Sequence, residues 1–222
     1  RAEYPADIVE DFRAVDAAAV ERWQAAVQPG DLATIAAPID TLGVNYYHGE
    51  LVGAEAPDVD PPGGHAPTAR PIASPFPASA GIFWHDRGLD RTGMGWEVQP
   101  EGLTRLLVRV SEEYAASADV ALYVTENGAA YDDVLEGAGD DARVADDERV
   151  AFVRAHLSAV LDAADRGVDV RGYFYWSLMD NFEWAWGYEK RFGIVHVDYD
   201  TQVRTLKDSG REYSRIIAAR AI

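Results

Sequence analysis

Leu122-Tyr123-Val124-Thr125-Glu126-Asn127-Gly128 is an apolar run that ends in a carboxylate and then turns on Asn-Gly. Short, apolar and bounded by turn residues, residues 120–125 are predicted to form a buried strand. Glu126 stands where that strand ends. On position alone, a glutamate there is either a catalytic group or one half of a structural ion pair.

The pattern repeats on either side. Residues 31–45 run from a polar start through Ile35 and Pro38 into Asp40-Thr41-Leu42-Gly43-Val44-Asn45-Tyr46-Tyr47, which reads as a buried strand ending in an amide and two phenols. Residues 168–178 read as a third strand, followed by Asp180, Asn181, Glu183, Trp184 and Trp186. Helical spacing separates the strands: Leu103, Leu106, Leu107, Val110 and Tyr114 over 100–115, with Pro100 in the first turn, and Val150, Val153, Leu157, Val160 and Leu161 over 146–165. One amphipathic helix is predicted over 6–27, a hairpin or loop strand over 193–199, and a last helix over 209–219. The Pro- and Gly-rich stretch 49–83 and the acidic stretch 132–141 read as loops.

Strands joined by helical crossovers of more than a dozen residues are parallel, with right-handed connections. Their nearly continuous apolar starts predict a sheet covered on both faces. All three end in polar and aromatic clusters, the pattern of a (β/α)8 TIM barrel, whose active site is built at the C-terminal ends of the strands. About three β/α units cannot close eight strands. The expected fold class is therefore α/β, part of a TIM barrel and incomplete on its own.

Composition narrows the function. At 48% hydrophobic and 26% charged, the 222-residue chain is an ordinary soluble globular sequence. It has no run near the roughly 18 apolar residues that cross a membrane. Residues 1–10 lack the apolar core of a signal peptide, so the expected location is cytoplasmic. A net charge of −18 argues against nucleic acid and acidic lipid as partners and favours a neutral substrate. Lys190 and Lys207 are the only lysines. Without cysteines there are no disulfides or thiolate metal sites, and the histidines lack ligand spacing, so neither metal nor cofactor is expected.

The strand ends suit a sugar. Aromatic faces stack on the C–H side of a pyranose ring, while carboxylates and amides bond its hydroxyls. Trp23 reads as core packing. Trp176, Trp184 and Trp186, interleaved with Asp180, Asn181 and Glu183, are too densely polar for a core.

Three segments carry a family resemblance: residues 42–47, residues 123–128, and residues 173–184 continuing through Gly187-Tyr188 and Arg191-Phe192-Gly193. In sequence, order and spacing they resemble the C-terminal half of glycoside hydrolase family 1, the β-glucosidase family. The resemblance implies that residues 1–222 are the C-terminal part of a single catalytic barrel. It implies Glu126 as nucleophile, with Tyr47 bonding this carboxylate and holding it ionised and oriented. It places Asn45 near the reacting sugar and Trp176 as the platform under the ring. Glu183 and Trp184 would grip the distal hydroxyls, Phe192 would close the glycone pocket, and Trp96 would wall the aglycone site. Asp180 and Arg191 would brace the site, and Tyr46 would pack.

One departure limits all of this. A retaining glycosidase needs a second carboxyl group about 5–5.5 Å from the nucleophile. The family carries it in an Asn-Glu-Pro motif that does not occur here. The expected partners are thus a β-glucoside or oligosaccharide substrate and an N-terminal half of the same barrel. An inactive sugar-binding fragment is the alternative, and a 6-phospho-β-glucosidase ranks below both, because Glu183 would repel a phosphate.

Overall fold

The computed structural model describes residues 3–58 and 81–222, so the middle of the 49–83 loop lies outside the described residues. They fall into two compact units. One contains residues 3–39, 52–56 and 81–83, and the other residues 40–51, 57–58 and 84–222.

The first unit carries α1 (Ala6–Val15), α2 (Ala17–Ala26) and α3 (Asp31–Ile35). The single helix expected over 6–27 is broken at Asp16. That residue leaves helical geometry and its side chain accepts a hydrogen bond from the Ala19 amide at 2.9 Å, capping α2. A short acidic side chain competes for backbone donors in this way, which makes it a better cap than helix interior. Trp23 packs edge-on to Tyr4 at 4.8 Å yet stays partly exposed, so it is less buried than a core residue. The predicted strand over 31–45 also begins late, since its first residues form α3.

The second unit runs β1 (Thr41–Asn45), α4 (Pro100–Val110), β2 (Ala121–Asn127), α5 (Asp147–Asp165), β3 (Val170–Tyr175), β4 (Val195–Val197), β5 (Arg204–Leu206) and α6 (Asp208–Ala219). Beyond α4 the chain widens into a π-type turn over Ser111–Ala115. β1, β2 and β3 form a parallel sheet in that order, and β4 pairs antiparallel with β5. The architecture is α/β, with a parallel sheet that is an incomplete barrel.

Among the described residues the sheet is covered on one face only. Leu42, Val44, Leu122 and Val124 pack against Leu103 and Leu107 of α4 and Ala159, Val160 and Ala163 of α5. Tyr173 and Tyr175 pack against Phe152 and Val153 of α5 and Ile216 and Tyr213 of α6. Burial of each large aliphatic side chain is worth roughly 1.5–3 kcal/mol. On the opposite face Thr41, Gly43, Asn45, Thr125 and Phe174 are exposed, which corrects the expectation of cover on both sides. Along β1 this face is small and polar, whereas β2 and β3 add the rings of Tyr123 and Phe174, Tyr123 lying over Gly172.

Strand β2 carries one residue more than its neighbours at its end. Val44 pairs with Val124, but Asn45 pairs with Glu126; likewise Val124 pairs with Tyr173, and Asn127 with Tyr175. Without this bulge, alternation would place Glu126 on the helix-covered face with Leu122 and Val124. With it, Asn127 takes the buried side, where its amide donates to the Tyr46 carbonyl at 2.6 Å and accepts from the Tyr173 hydroxyl at 2.7 Å. Glu126 is turned to the open face, the re-aiming that bulges perform.

Candidate active site

The rim where the three strands end is tied together by backbone bonds. The Tyr46 amide donates to the Glu126 carbonyl and the Trp176 amide to the Asn127 carbonyl, both at 2.9 Å. Gly128 lies against the Trp176 backbone so closely that any side chain would strike its carbonyl, so the chain needs glycine there.

On this rim the Tyr47 hydroxyl donates to Glu126 Oε2 at 2.8 Å. The proton is held firmly: burial pushes the Tyr47 phenol well above its usual range, and the bond to Glu126 pushes it further. Tyr47 packs edge-on to Trp96 at 5.5 Å and to Phe192 at 6.2 Å. Trp176 and Trp186 join the same apolar cluster, around buried Met94, Ala130 and Phe192. Glu183 is half-buried, and its carboxyl is raised above the ordinary range. Burial is the main cause; a hydrogen bond from Trp176 works against it, and Glu126 adds to it.

The structure therefore brings together Glu126, Tyr47, Trp96, Trp176, Glu183 and Phe192. It does not bring in Trp184, whose ring is 78% exposed. Asn45 sits opposite Glu126 in register, but its amide oxygen accepts from the Thr125 hydroxyl at 2.7 Å. Tyr46 is buried and donates to the Gln99 carbonyl at 2.7 Å, a packing role. Asp180 and Arg191 pair at 2.6 Å behind the cluster.

Sequence reasoning missed two contributors to this rim. His48 stacks on Trp96 at 4.9 Å and 22°, a contact with no sequence signal because it depends on where the following loop returns. Asn127 was visible only as half of a turn, although its complete burial makes it the clasp between all three strands.

A parallel α/β sheet with a carboxylate, a phenol and clustered indoles at the C-terminal ends of its strands is the arrangement of a barrel-type protein. The chain belongs to glycosyl hydrolase family 1, whose sequence pattern matches residues 1–222. It is 44% identical over 187 residues to the beta-glucosidase A of Thermotoga maritima, covering 84% of this chain and 36% of that protein. It is 38% identical over 191 residues to the 6-phospho-beta-galactosidase 1 of Streptococcus pneumoniae, covering 82% of this chain and 39% of that one. Among solved structures it resembles the psychrophilic beta-glucosidase BglU of Micrococcus antarcticus, with 48% identity and a TM-score of 0.87 over 100% of this chain and 45% of that one. The chain thus spans less than half the length of each of these relatives.

Proposed function

We propose that the chain is the C-terminal part of one catalytic barrel, that of a retaining β-glucosidase, and supplies the nucleophile half of its active site. The observation that carries this reading is the 2.8 Å bond from Tyr47 to Glu126 at the rim of the open face, beside the Trp96–Trp176–Phe192 cluster. In the reaction a Glu126 carboxylate oxygen bonds to the anomeric carbon as the bond from that carbon to the aglycone oxygen breaks. The departing oxygen takes a proton from an acid/base carboxyl group that this chain lacks. Water then gives up a proton to that same group and displaces Glu126, freeing the sugar with its original anomeric configuration.

Tyr47 holds the attacking oxygen in place, Trp176 offers its face to the ring, and Glu183 accepts hydroxyl protons in hydrogen bonds. Asn45 lies near the reacting carbon, Phe192 closes the glycone side, Trp96 walls the aglycone, and Trp184 reaches the distal hydroxyls once the pocket is complete. Lack of the acid/base group removes general acid catalysis, an effect of order 100- to 10,000-fold. A phosphorylated glycone fits less well, because Glu183 sets a carboxylate against it.

The test is complementation. Mixed with an N-terminal half that supplies the missing strands and the Asn-Glu-Pro glutamate, the chain is expected to hydrolyse a β-glucoside. No activity, alongside an active intact relative, would overturn the proposal. The missing motif favours a second reading, a fragment that binds sugar without turnover. It predicts glucose binding that depends on Trp176 and Glu183 and is indifferent to Glu126→Gln, with no activity on complementation.

A further inference from the structure

Six charged side chains stand behind the rim. Asp133, Asp146 and Asp180 face Arg149, Lys207 and Arg191, and all but Arg191 have side chains at most 1% exposed. Three carboxylates meet three cations, so the formal charge balances. Arg149 donates to Asp133 at 2.7 Å and 3.1 Å and to Asp146 at 2.5 Å. It also donates to the carbonyls of Ala129 at 3.2 Å and Arg191 at 2.8 Å. Lys207 donates to Asp180 at 2.8 Å and to Asp133. Asp180 further accepts from Arg191 and from the amides of Gly193 and Val197.

Two loops are joined by this arrangement. Asp133 and Ala129 belong to the segment that follows Glu126, whereas Asp180, Arg191 and Gly193 belong to the segment between Trp176 and β4, which holds Glu183 and Phe192. Arg149 and Lys207 each contact both. Burying five charges is a poor route to stability, because the cost of removing them from water offsets most of their attraction. Such a set makes better physical sense as a fixture of geometry, since a buried ion pair tolerates little change in separation or angle.

We propose that Lys207, with Arg149, is a positioning residue that locks the nucleophile segment to the sugar-gripping segment and so sets the distance between Glu126 and Glu183. This rests on the site reading above and extends it to a side chain that touches no sugar. Lys207→Met alone leaves a buried negative charge and is expected to unfold the chain readily. The double variant Lys207→Met/Asp133→Asn restores the charge balance and removes the Lys207 cross-link, leaving the bonds of Arg149 to the Ala129 and Arg191 carbonyls.

The experiment measures binding of deoxynojirimycin, an iminosugar of glucose configuration, to the chain complemented with its N-terminal half, by tryptophan fluorescence, with thermal unfolding run alongside. The double variant is expected to fold and to bind at least about tenfold more weakly than the unaltered chain, the cost of a lost ~1.4 kcal/mol of fixed geometry. Affinity equal to that of the unaltered chain would overturn the proposal. A second measurement needs no variant: hydrogen exchange of the Lys207 ammonium protons in the complemented, unaltered protein, followed by NMR. Positioning requires exchange to slow at least severalfold when deoxynojirimycin binds, because binding and locking are reciprocal; an unchanged rate overturns it. If the complemented, unaltered protein binds no deoxynojirimycin at all, the site reading itself fails and this inference fails with it.

Discussion

The two faces of the β1–β2–β3 sheet follow opposite rules. On the helix side, Val44, Leu122, Val124 and Tyr175 sit among buried aliphatic and aromatic side chains, where stability is made. On the open side, Gly43, Asn45, Thr125 and Phe174 are exposed, and at their upper edge stand Tyr47 and Glu126. One face carries the fold and the other carries the proposed chemistry. They meet at the bulge beside Thr125. Disturbing either face should therefore damage one property and spare the other.

The largest effect belongs to Glu126→Gln. In the complemented protein it is expected to lower kcat by more than ~1,000-fold, while the urea midpoint of the chain stays where it was. A matching loss of stability would show that the faces are not separable. Next comes Leu107→Ala on the covered side, where a fully buried side chain leaves a cavity. It should cost about 3 kcal/mol in urea unfolding and leave sugar affinity per folded molecule unchanged.

His156 probes the covered side with pH. It is buried and stacked on Phe152 at 3.8 Å, with Nδ1 at 2.9 Å from the Phe152 carbonyl, and burial pulls its pKa from the ordinary 6.5 down to about 4. The unfolded chain thus binds a proton between those values that the folded chain refuses. Stability is fully present above pH ~6.5 and falls as the pH drops towards 4, by about 3 kcal/mol in all. Urea midpoints measured across that window should show the slope, and His156→Phe should flatten it.

Tyr47→Phe removes a donor to a charged acceptor. It should cost about 2 kcal/mol in kcat/KM, a factor between ~10 and ~100, with little change in unfolding. The smallest effect is expected for Phe174→Ser on the open face, where the ring is 58% exposed. A change within about 0.5 kcal/mol is expected from urea unfolding. A larger loss would mean that the open face also contributes to the core.

Much of this division was legible in the sequence, because strands, helices and their polar ends announce themselves by spacing. The open face was not, since its polar alternation in β1 was outweighed by the overall apolar run. The bulge was invisible too: strict alternation from Leu122 assigns Glu126 to the core, and only pairing with β1 and β3 shows the extra residue. Asp133 looked like one more charge in an acidic loop. Lys207 stood out only as one of two lysines, and neither could be paired before the fold placed them 74 positions apart and in contact. The break at Asp16 had a local signal, a helix-capping side chain in mid-helix, that the apolar spacing of residues 6–27 overrode.

The single additional residue in β2 also sets how this strand could change over time. An alternating strand has two phases, and an insertion or deletion exchanges them for everything downstream. Straightening the bulge at unchanged length would return Glu126 to the greasy side and thrust Asn127 outward, undoing the clasp and the proposed nucleophile in one event. A substitution anywhere in the strand is a local edit. The bulge is a change of phase, held by the pairing of β2 with both of its neighbours and not by any one side chain.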